Sequence, residues 1–250
     1  MKKILCLISA ITFFYNQNFL YSQSKTEIDT SETFRNKLFS SNKVSLGLLI
    51  GYTNSNLYGS EIDYIFSDSK TSGFQSFHAG LLVNSQLGKY FWLKHLLLFN
   101  QRGAHVYLSD SINGKYNTNL KMQYLDLYPF FLTFHIKGWQ IFTGPYVSTL
   151  INASIRRKDN NGNVFNDTSL FGDPGNNEAA DKNKYLQKSD FGLSIGTEYQ
   201  FSFGLFFGIK YNLGFMDLFQ YANSYTFNDP KKDKIKIYNK FLMISLGYSF

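Results

Sequence analysis

The chain has 250 residues, a length that suits one domain or a single large β-barrel. Its net charge of +7 first suggests a nucleic-acid binder. The distribution of charge excludes that class, because the basic residues fall in polar stretches, whereas the 26 Phe and 18 Tyr residues fall mostly within apolar segments. We therefore expect no nucleic-acid partner.

The N-terminus has the pattern of a secretory signal peptide. Two lysines precede an apolar run over residues 4–15, and residues 20–22 approximate a small-residue cleavage site. We therefore predict a signal peptide over residues 1–22. The run is shorter than the roughly 20 residues that a membrane-spanning helix needs. Cys6 is the single cysteine and lies inside this run, so the exported chain would contain none.

Residues 23–42, QSKTEIDTSETFRNKLFSSN, are polar and carry charges of both signs. Phe34 and Leu38 could form one weak helical turn, but this composition is typical of a segment that cannot bury enough apolar surface to fold. We therefore predict a flexible periplasmic segment ahead of a folded domain over residues 43–250.

Eight segments of the folded domain alternate between apolar and small or polar residues, which is the period of a β-strand. Long polar connections alternate with tight turns at 88–90, 136–138 and 201–202, a pattern typical of an up-and-down barrel. The predicted strands are 44–53, 74–87, 91–103, 119–135, 139–153, 188–201, 204–216 and 236–250. The predicted long connections are 54–73, 104–118, 154–187 and 217–235.

The two faces of the predicted strands differ in side-chain size. In residues 190–201, for example, Phe191, Leu193 and Ile195 alternate with Gly192 and Ser194. An eight-stranded barrel has an interior just wide enough for side chains, so dozens of large apolar residues cannot all fit inside. We place the bulky face outward, where lipid tolerates it. A soluble lipocalin-like binder is the weaker alternative.

Three charged residues fall on the inward, small-residue face. Asp190 and Glu198 lie on one predicted strand and Lys210 lies on the next. We predict that they form a polar network in the lumen, because an unpaired charge in a narrow interior is costly. Glu198 and Lys210 are one diagonal step apart, which predicts a direct ion pair. Alternatively, each charge is separately hydrated or is paired elsewhere, for example Lys210 with Asp190 or Asp126.

Several stretches resemble the PorT-like outer-membrane β-barrel family and together cover most of residues 43–250. The strongest matches are Gly-Pro-Tyr at 144–146, Asp-Phe-Gly at 190–192 and Tyr-Asn-Leu-Gly at 211–214. Two departures leave the register of the third and fourth strands open. Leu96 stands where an acidic residue is expected, and Tyr128 separates Leu127 from Pro129.

The resemblance implies an all-β protein, an eight-stranded antiparallel transmembrane barrel in the outer membrane of a Gram-negative bacterium. Both termini and the tight turns would be periplasmic, and the long loops extracellular. In similar proteins a terminal strand ending in Phe is the label read by the barrel-assembly machinery. Tyr248 and Phe250 are therefore the predicted assembly signal, and they would also join the periplasmic aromatic girdle. The alternative is an ordinary core strand that ends the chain.

One group of residues has the types needed for catalysis. His105, with nearby Ser109 and Asp110, supplies a base, a nucleophile and an orienting acid. Spacing within a predicted loop fixes no geometry, however, so a solvated loop with a hydrogen-bonded histidine is the simpler interpretation. We expect no catalytic residue and no cofactor.

A second group resembles part of a calcium loop. Asp159, Asn161 and Asn163 occupy positions one, three and five of that motif. Val164 and Leu170 replace the Gly and Glu that the motif requires at positions six and twelve, which favours a flexible Asn-rich loop without metal.

Two function classes remain open. The first is a non-enzymatic outer-membrane protein whose extracellular loops bind a partner or whose barrel anchors a complex, since some similar proteins are linked to secretion. The second is a small lipid-modifying enzyme with a rim site near His105. Outer-membrane lipids and, during insertion, the assembly machinery are the expected partners. A wide diffusion pore is not expected, because eight strands leave no porin-like channel.

Overall fold

The computed structural model describes residues 44–60, 62, 70–110, 112–167, 186–218 and 236–250. The predictions for residues 1–22 and 23–42 lie outside them. The described residues form nine strands: β1 (Val44–Gly59), β2 (Thr71–Gln86), β3 (Phe91–Asp110), β4 (Gly114–Ile136), β5 (Trp139–Lys158), β6 (Val164–Asp167), β7 (Ser189–Gln200), β8 (Leu205–Gly214) and β9 (Ile237–Ser249).

Eight of these strands form a closed antiparallel ring. They pair in chain order, with β5 pairing directly with β7, and the ring closes where β9 pairs with β1 from Gly47 to Gly59. Strand β6 extends the sheet by pairing with the C-terminal end of β5. The predicted eight-stranded up-and-down barrel is therefore confirmed, and β6 is a short addition within the predicted connection 154–187.

One rim of the barrel carries the three tight turns that the sequence predicts. They join β2 to β3, β4 to β5 and β7 to β8. Lys137 and Gly138 have φ angles of 50° and 87°, the positive values that a two-residue hairpin with a type I′ turn requires. The C-terminus lies at the same rim, because Phe250 N donates to Leu46 O at 2.8 Å.

At the opposite rim the strands are longer than predicted. Residues 104–118, predicted as a loop, form the ends of β3 and β4 and the turn between them. The physical reason is that the apolar residues of these strands change from the outward face to the inward face. Nearer the tight-turn rim the bulky residues point outward, whereas in this extension the buried Val106 and Leu120 point inward and polar residues point outward. A prediction that follows only the outward apolar residues therefore places the ends of β3 and β4 too early.

The bulky faces point outward, as predicted. Ile195 is 59% exposed, whereas Ser194 beside it is 2% exposed. The same contrast holds in β1 and β9, where Ile50 and Tyr248 are exposed and Thr53 and Met243 are buried. No helix among the described residues is long and apolar enough to span a membrane.

The register left open by the sequence corresponds to a real irregularity. Lys94 pairs with Phe131 and Leu96 pairs with Tyr128, so two residues of β4 bulge opposite a single residue of β3. One of them is Pro129, which has no N–H for the sheet ladder and is therefore favoured at a bulge. The bulge keeps Lys94 pointing into the lumen, where it is almost fully buried.

Candidate functional site

The middle of the lumen contains three cationic and three anionic side chains among the described residues, all of them buried. They point inward from β3, β4, β7 and β8, so the formal charges of this region balance. An uncompensated charge in such an interior costs on the order of several kcal/mol, so the pairing of these groups determines the character of the site. The residues are Lys94, Arg102, Lys210, Asp126, Asp190 and Glu198.

Arg102 is the centre of a network of ion pairs and hydrogen bonds. Its Nη1 donates to Asp190 Oδ2 at 2.9 Å, and its Nη2 donates to Asp126 Oδ1. Nη2 also donates to Ser148 Oγ at 2.9 Å. One guanidinium therefore joins β3 to β4, β5 and β7. Both carboxylates considered as alternative partners for Lys210 pair with Arg102 instead.

Aromatic rings enclose the guanidinium. Its carbon lies 3.8 Å from the ring centroid of Phe241, 4.5 Å from that of Tyr124 and 5.4 Å from that of Tyr146. A planar guanidinium can stack on rings while its edge binds carboxylates, which a lysine ammonium cannot do. Position 102 therefore favours Arg over Lys for geometric reasons.

The three sequence motifs meet at Asp190. The hydroxyl of Tyr146 and the side-chain amide of Asn239 each donate to Asp190 Oδ2 at 3.2 Å. Gly214 leaves room for this contact, because a Cβ there would lie 2.9 Å from the Tyr146 hydroxyl and 3.0 Å from Asp190 Oδ1. The motifs at 144–146, 190–192 and 211–214 thus supply the donor, the acceptor and the space.

A chain of hydrogen bonds runs from Asp126 through four further side chains to β9. Asn100 Nδ2 donates to Asp126 Oδ2 at 2.8 Å, and Thr53 Oγ1 donates to Asn100 Oδ1 at 3.0 Å. Thr53 has one hydroxyl proton, so it accepts from His78 Nδ1–H at 2.9 Å. His78 Nε2 in turn hydrogen-bonds Ser245 Oγ at 2.8 Å.

Glu198 forms its ion pair with Lys94, and the predicted direct pair with Lys210 is wrong. The predicted register is right, because Gly208 stands opposite Glu198 and Lys210 lies two residues further along β8. The Lys210 amine instead lies 3.5 Å from the ring centroid of Tyr128, a cation–π contact. Register predicts neighbours on adjacent strands, whereas Lys94 reaches Glu198 from a strand that does not adjoin β7.

A small cavity lies beside Lys94, Glu198 and Lys210. Its volume is about 20 Å³, which is room for about one water molecule. This part of the lumen is therefore packed and does not form a channel. The remaining lining is mainly apolar and includes Leu49, Leu82, Leu96, Phe142 and Phe206.

An apolar plug fills the lumen at the rim with the extended strands. Leu186 and Leu218, which flank β7 and β8, pack into it and are held by main-chain hydrogen bonds. Gln187 N donates to Leu218 O at 2.8 Å, and Leu218 N donates to Ile237 O at 2.7 Å. The plug consists of Leu57, Ala104, Val106, Leu120, Met122, Tyr124, Leu150, Ala153, Ile155, Leu186, Leu218 and Ile237.

The possible catalytic group at the rim is not assembled. His105, Ser109 and Asp110 lie in β3 and not in a loop. His105 and Ser109 are four residues apart on one face, which separates their Cα atoms by about 13 Å in an extended strand. The Nδ1 atom of His105 instead hydrogen-bonds the side-chain oxygen of Asn119, and its ring packs against Phe74. The geometry therefore provides no contact between nucleophile and base.

The calcium-like segment forms a turn between β5 and β6 that binds its own backbone. Asp159 Oδ1 accepts from the N–H groups of Asn161 and Asn163, both at 2.8 Å. Hydrogen bonds, chiefly from Asn163, hold the pKa of Asp159 below its ordinary value. Val164 begins β6, and position 170 lies outside the described residues. In the described part of the chain no cluster of three His, Cys, Asp or Glu side chains could hold a metal ion.

The predicted assembly signal lies on the outward face of β9 at the tight-turn rim. Tyr248 is 46% exposed and Phe250 is 67% exposed, with 5.9 Å between their ring centroids. The main chain of Phe250 exchanges hydrogen bonds with Leu46, so the last residue helps to close the ring. Recognition by an assembly machinery stays a prediction.

Sequence reasoning missed two residues of the network, Lys94 and Arg102. A signal was present, because both have the same parity as the inward-facing Leu96 and Leu98 along β3. A charge on the same face as buried leucines indicates a lumen position once the face has been assigned.

The family model described as outer membrane protein beta-barrel domain matches residues 21–220. Among solved structures, the chain is similar to Neisserial surface protein A, at 9% identity, over 83% of this chain and 99% of that one, with a TM-score of 0.46. OprG from Pseudomonas aeruginosa matches at 12% identity over 84% and 97%, with a TM-score of 0.40. Ail of Yersinia pestis, in complex with sucrose octasulfate, matches at 12% over 83% and 99%, with a TM-score of 0.37. No curated protein matches the chain.

Proposed function

Since the chain belongs to the outer membrane protein beta-barrel domain family, we propose that it is a non-enzymatic binding or anchoring protein that acts through its extracellular rim. The observation that carries this proposal is the filled lumen. Ion pairs and hydrogen bonds occupy its middle, and an apolar plug occupies one end. Passage of solutes is therefore a poor candidate for its function, which leaves the outer surface of the barrel and its rims.

The extension of β3 to β6 is the part of the rim best suited to bind a partner. Val164 and Phe165 of β6 are 53% and 46% exposed, and as adjacent residues of a strand they present apolar side chains on its two opposite faces. Exposed apolar side chains outside lipid are a common feature of protein contact surfaces. We propose that these two residues contact an extracellular or secretion partner.

We further propose that the chain is a PorT-like member of its family, with both termini and the tight turns in the periplasm. The convergence of the motifs at 144–146, 190–192 and 211–214 on Asp190 supports a shared lumen design. The short turns at one rim and the long extensions at the other support this orientation, because outer-membrane barrels have short periplasmic turns.

Cysteine labelling in intact cells tests the orientation. Cys6 is the single cysteine and lies in the predicted signal peptide, so an introduced cysteine would be unique in the exported chain. A membrane-impermeant maleimide is expected to label Asn161→Cys in intact cells. Lys137→Cys, at the tight turn, should be labelled only after the outer membrane is opened. Labelling of Lys137→Cys in intact cells would overturn the proposed orientation.

Site-specific photo-crosslinking tests the contact surface. A photoreactive residue at Phe165 should form an adduct with a partner in cells, and one at Phe203, an exposed position at the tight-turn rim, should not form the same adduct. Val164→Ser should reduce the yield at position 165. Identical adducts at both positions, or none at Phe165, would contradict the proposed surface.

A further inference from the structure

The outward face of the β4 and β5 extension carries a cluster of exposed cations. Lys121 on β4 and Arg156 and Lys158 on β5 are all exposed. Ser154 stands opposite Lys121, so Arg156 lies one diagonal step away, roughly 7 to 8 Å between Cα atoms. Both side chains can therefore reach one small anion.

Two polar neighbours complete this surface. His105 of β3 stands opposite Asn119 of β4, and the Nδ1 atom of His105 hydrogen-bonds Asn119 Oδ1. The side-chain oxygen of Asn119 is thereby engaged, which leaves its NH₂ group as a donor beside Lys121. The arrangement offers an ammonium, a guanidinium and an amide donor on one face.

These cations are not neutralised within the described part of the barrel. No carboxylate there lies within ion-pair distance of Lys121 or Arg156. Asp167 pairs with the neighbouring Arg157 at 3.1 Å. Asp159 keeps its negative charge, but its carboxylate is turned to the amides of its own turn. Among the described residues the basic side chains around this face therefore outnumber the acidic ones.

The depth of the cluster indicates what lies beside it. On β4 the outward apolar residues run from Ile136 to Leu125, which corresponds to about 28 Å along the membrane normal for an extended strand tilted by roughly 40°. That span is comparable to the roughly 25 Å apolar band of outer-membrane barrels. Lys121 is four residues further, about 10 Å beyond the band by the same geometry, and its long side chain can bend back toward the lipid headgroups.

We infer that Lys121, Arg156 and Asn119 form a binding site for the phosphate of a phosphorylated glycolipid headgroup in the outer leaflet. The inference rests on the proposed orientation, which places this rim outside. Arg156 can bind phosphate oxygens through two N–H groups, Lys121 supplies a point charge, and Lys158 adds attraction at longer range. Clusters of basic residues beside the apolar band of a membrane protein are suited to anionic headgroups.

The test is a lipid titration of the folded, detergent-solubilised barrel by native mass spectrometry. The probes are diphosphoryl lipid A, lipid A from which the phosphates have been removed, and inorganic phosphate alone. Lys121→Gln and Arg156→Gln are each expected to weaken binding of diphosphoryl lipid A about fivefold, and about 25-fold together, which is the effect of losing one basic contact each. Lys89→Gln combined with Lys137→Gln, which removes two charges from the opposite rim, should leave the affinity unchanged.

Each outcome either supports or overturns the site. Dephosphorylated lipid A should bind the wild type as weakly as diphosphoryl lipid A binds the double variant, and Lys121→Arg should retain binding. Equal affinity of both lipids, or no effect of the double variant, would overturn the inference. Binding of inorganic phosphate as tight as that of the lipid would indicate a site for free phosphate and would also overturn it. A reversed orientation in the labelling experiment would not alter these affinities, so the two proposals fail separately.

Discussion

Arg102 of β3 and Asp190 of β7 form an ion pair across the lumen, with 2.9 Å between Nη1 and Oδ2, although they are 88 positions apart in sequence. Their strands are not neighbours in the ring. The pair therefore ties two separate parts of the wall together. Arg102 is fully buried, so its charge is compensated by Asp190 and Asp126 and not by water.

Removing this cation should destabilise the barrel strongly. Arg102→Met would leave Asp126 and Asp190 buried without a counter-charge, which costs on the order of 3 to 5 kcal/mol of unfolding free energy. Urea unfolding in lipid vesicles measures the change. Adding Asp126→Asn and Asp190→Asn to Arg102→Met should restore part of the stability, because the uncompensated charges are then gone. An unchanged unfolding midpoint for Arg102→Met would show that the network contributes nothing.

A charge introduced on the outward face should destabilise the barrel more strongly the closer it lies to the middle of the apolar band. Ile195→Arg, near the middle of the apolar band, is expected to cost about 2 to 4 kcal/mol of unfolding free energy. Phe203→Arg is the matched control, because Phe203 is 61% exposed but lies at the tight-turn rim, where the cost should be about 0 to 1 kcal/mol. Equal costs at the two positions in vesicle unfolding would argue against the assignment of faces.

A double-mutant cycle distinguishes the two lysines near Glu198. Lys94→Met and Glu198→Gln should couple by about 1 to 3 kcal/mol, because the two groups form a buried ion pair. Lys210→Met and Glu198→Gln should be closer to additive, since the Lys210 amine contacts the ring of Tyr128. Stronger coupling of Glu198 to Lys210 than to Lys94 would reverse the pairing derived from the structure.

The terminal residue should affect assembly more than export. Deletion of Phe250, or Phe250→Ala, is expected to lower the amount of folded barrel in the outer membrane without reducing export, because the predicted signal peptide is unchanged. Phe203→Ala removes a similarly exposed ring from the same rim and should have a smaller effect. Heat-modifiable mobility of membrane fractions measures the folded amount. Equal losses in the two variants would indicate a general girdle effect and no special role for the terminus.

The features that depend only on neighbouring strands were predicted correctly from the sequence. The period of two fixed the outward position of Ile195, and the short turns fixed which strands pair. The same information placed Glu198 and Lys210 one diagonal step apart. The prediction of an ion pair between them was wrong, because the side chain that pairs with Glu198 reaches it across the lumen. The period of a sequence does not indicate which residues meet across a barrel.

The length of β3 and β4 was underestimated for a different reason. The apolar residues change face where the strands extend beyond the outward apolar band, so Val106 and Leu120 join a plug inside the barrel. A search for outward apolar residues treats this region as a loop. His105 was therefore placed in a loop, whereas it stands in β3 opposite Asn119.

The most direct test of the sealed lumen is conductance in a planar lipid bilayer. Barrel that has been shown to be folded by its heat-modifiable mobility would be inserted at known protein density under an applied potential. The packed network around Arg102 and the apolar plug predict no stable conductance above that of the bare bilayer. A steady, protein-dependent open channel of uniform conductance would contradict the sealed lumen and with it the proposed binding or anchoring role.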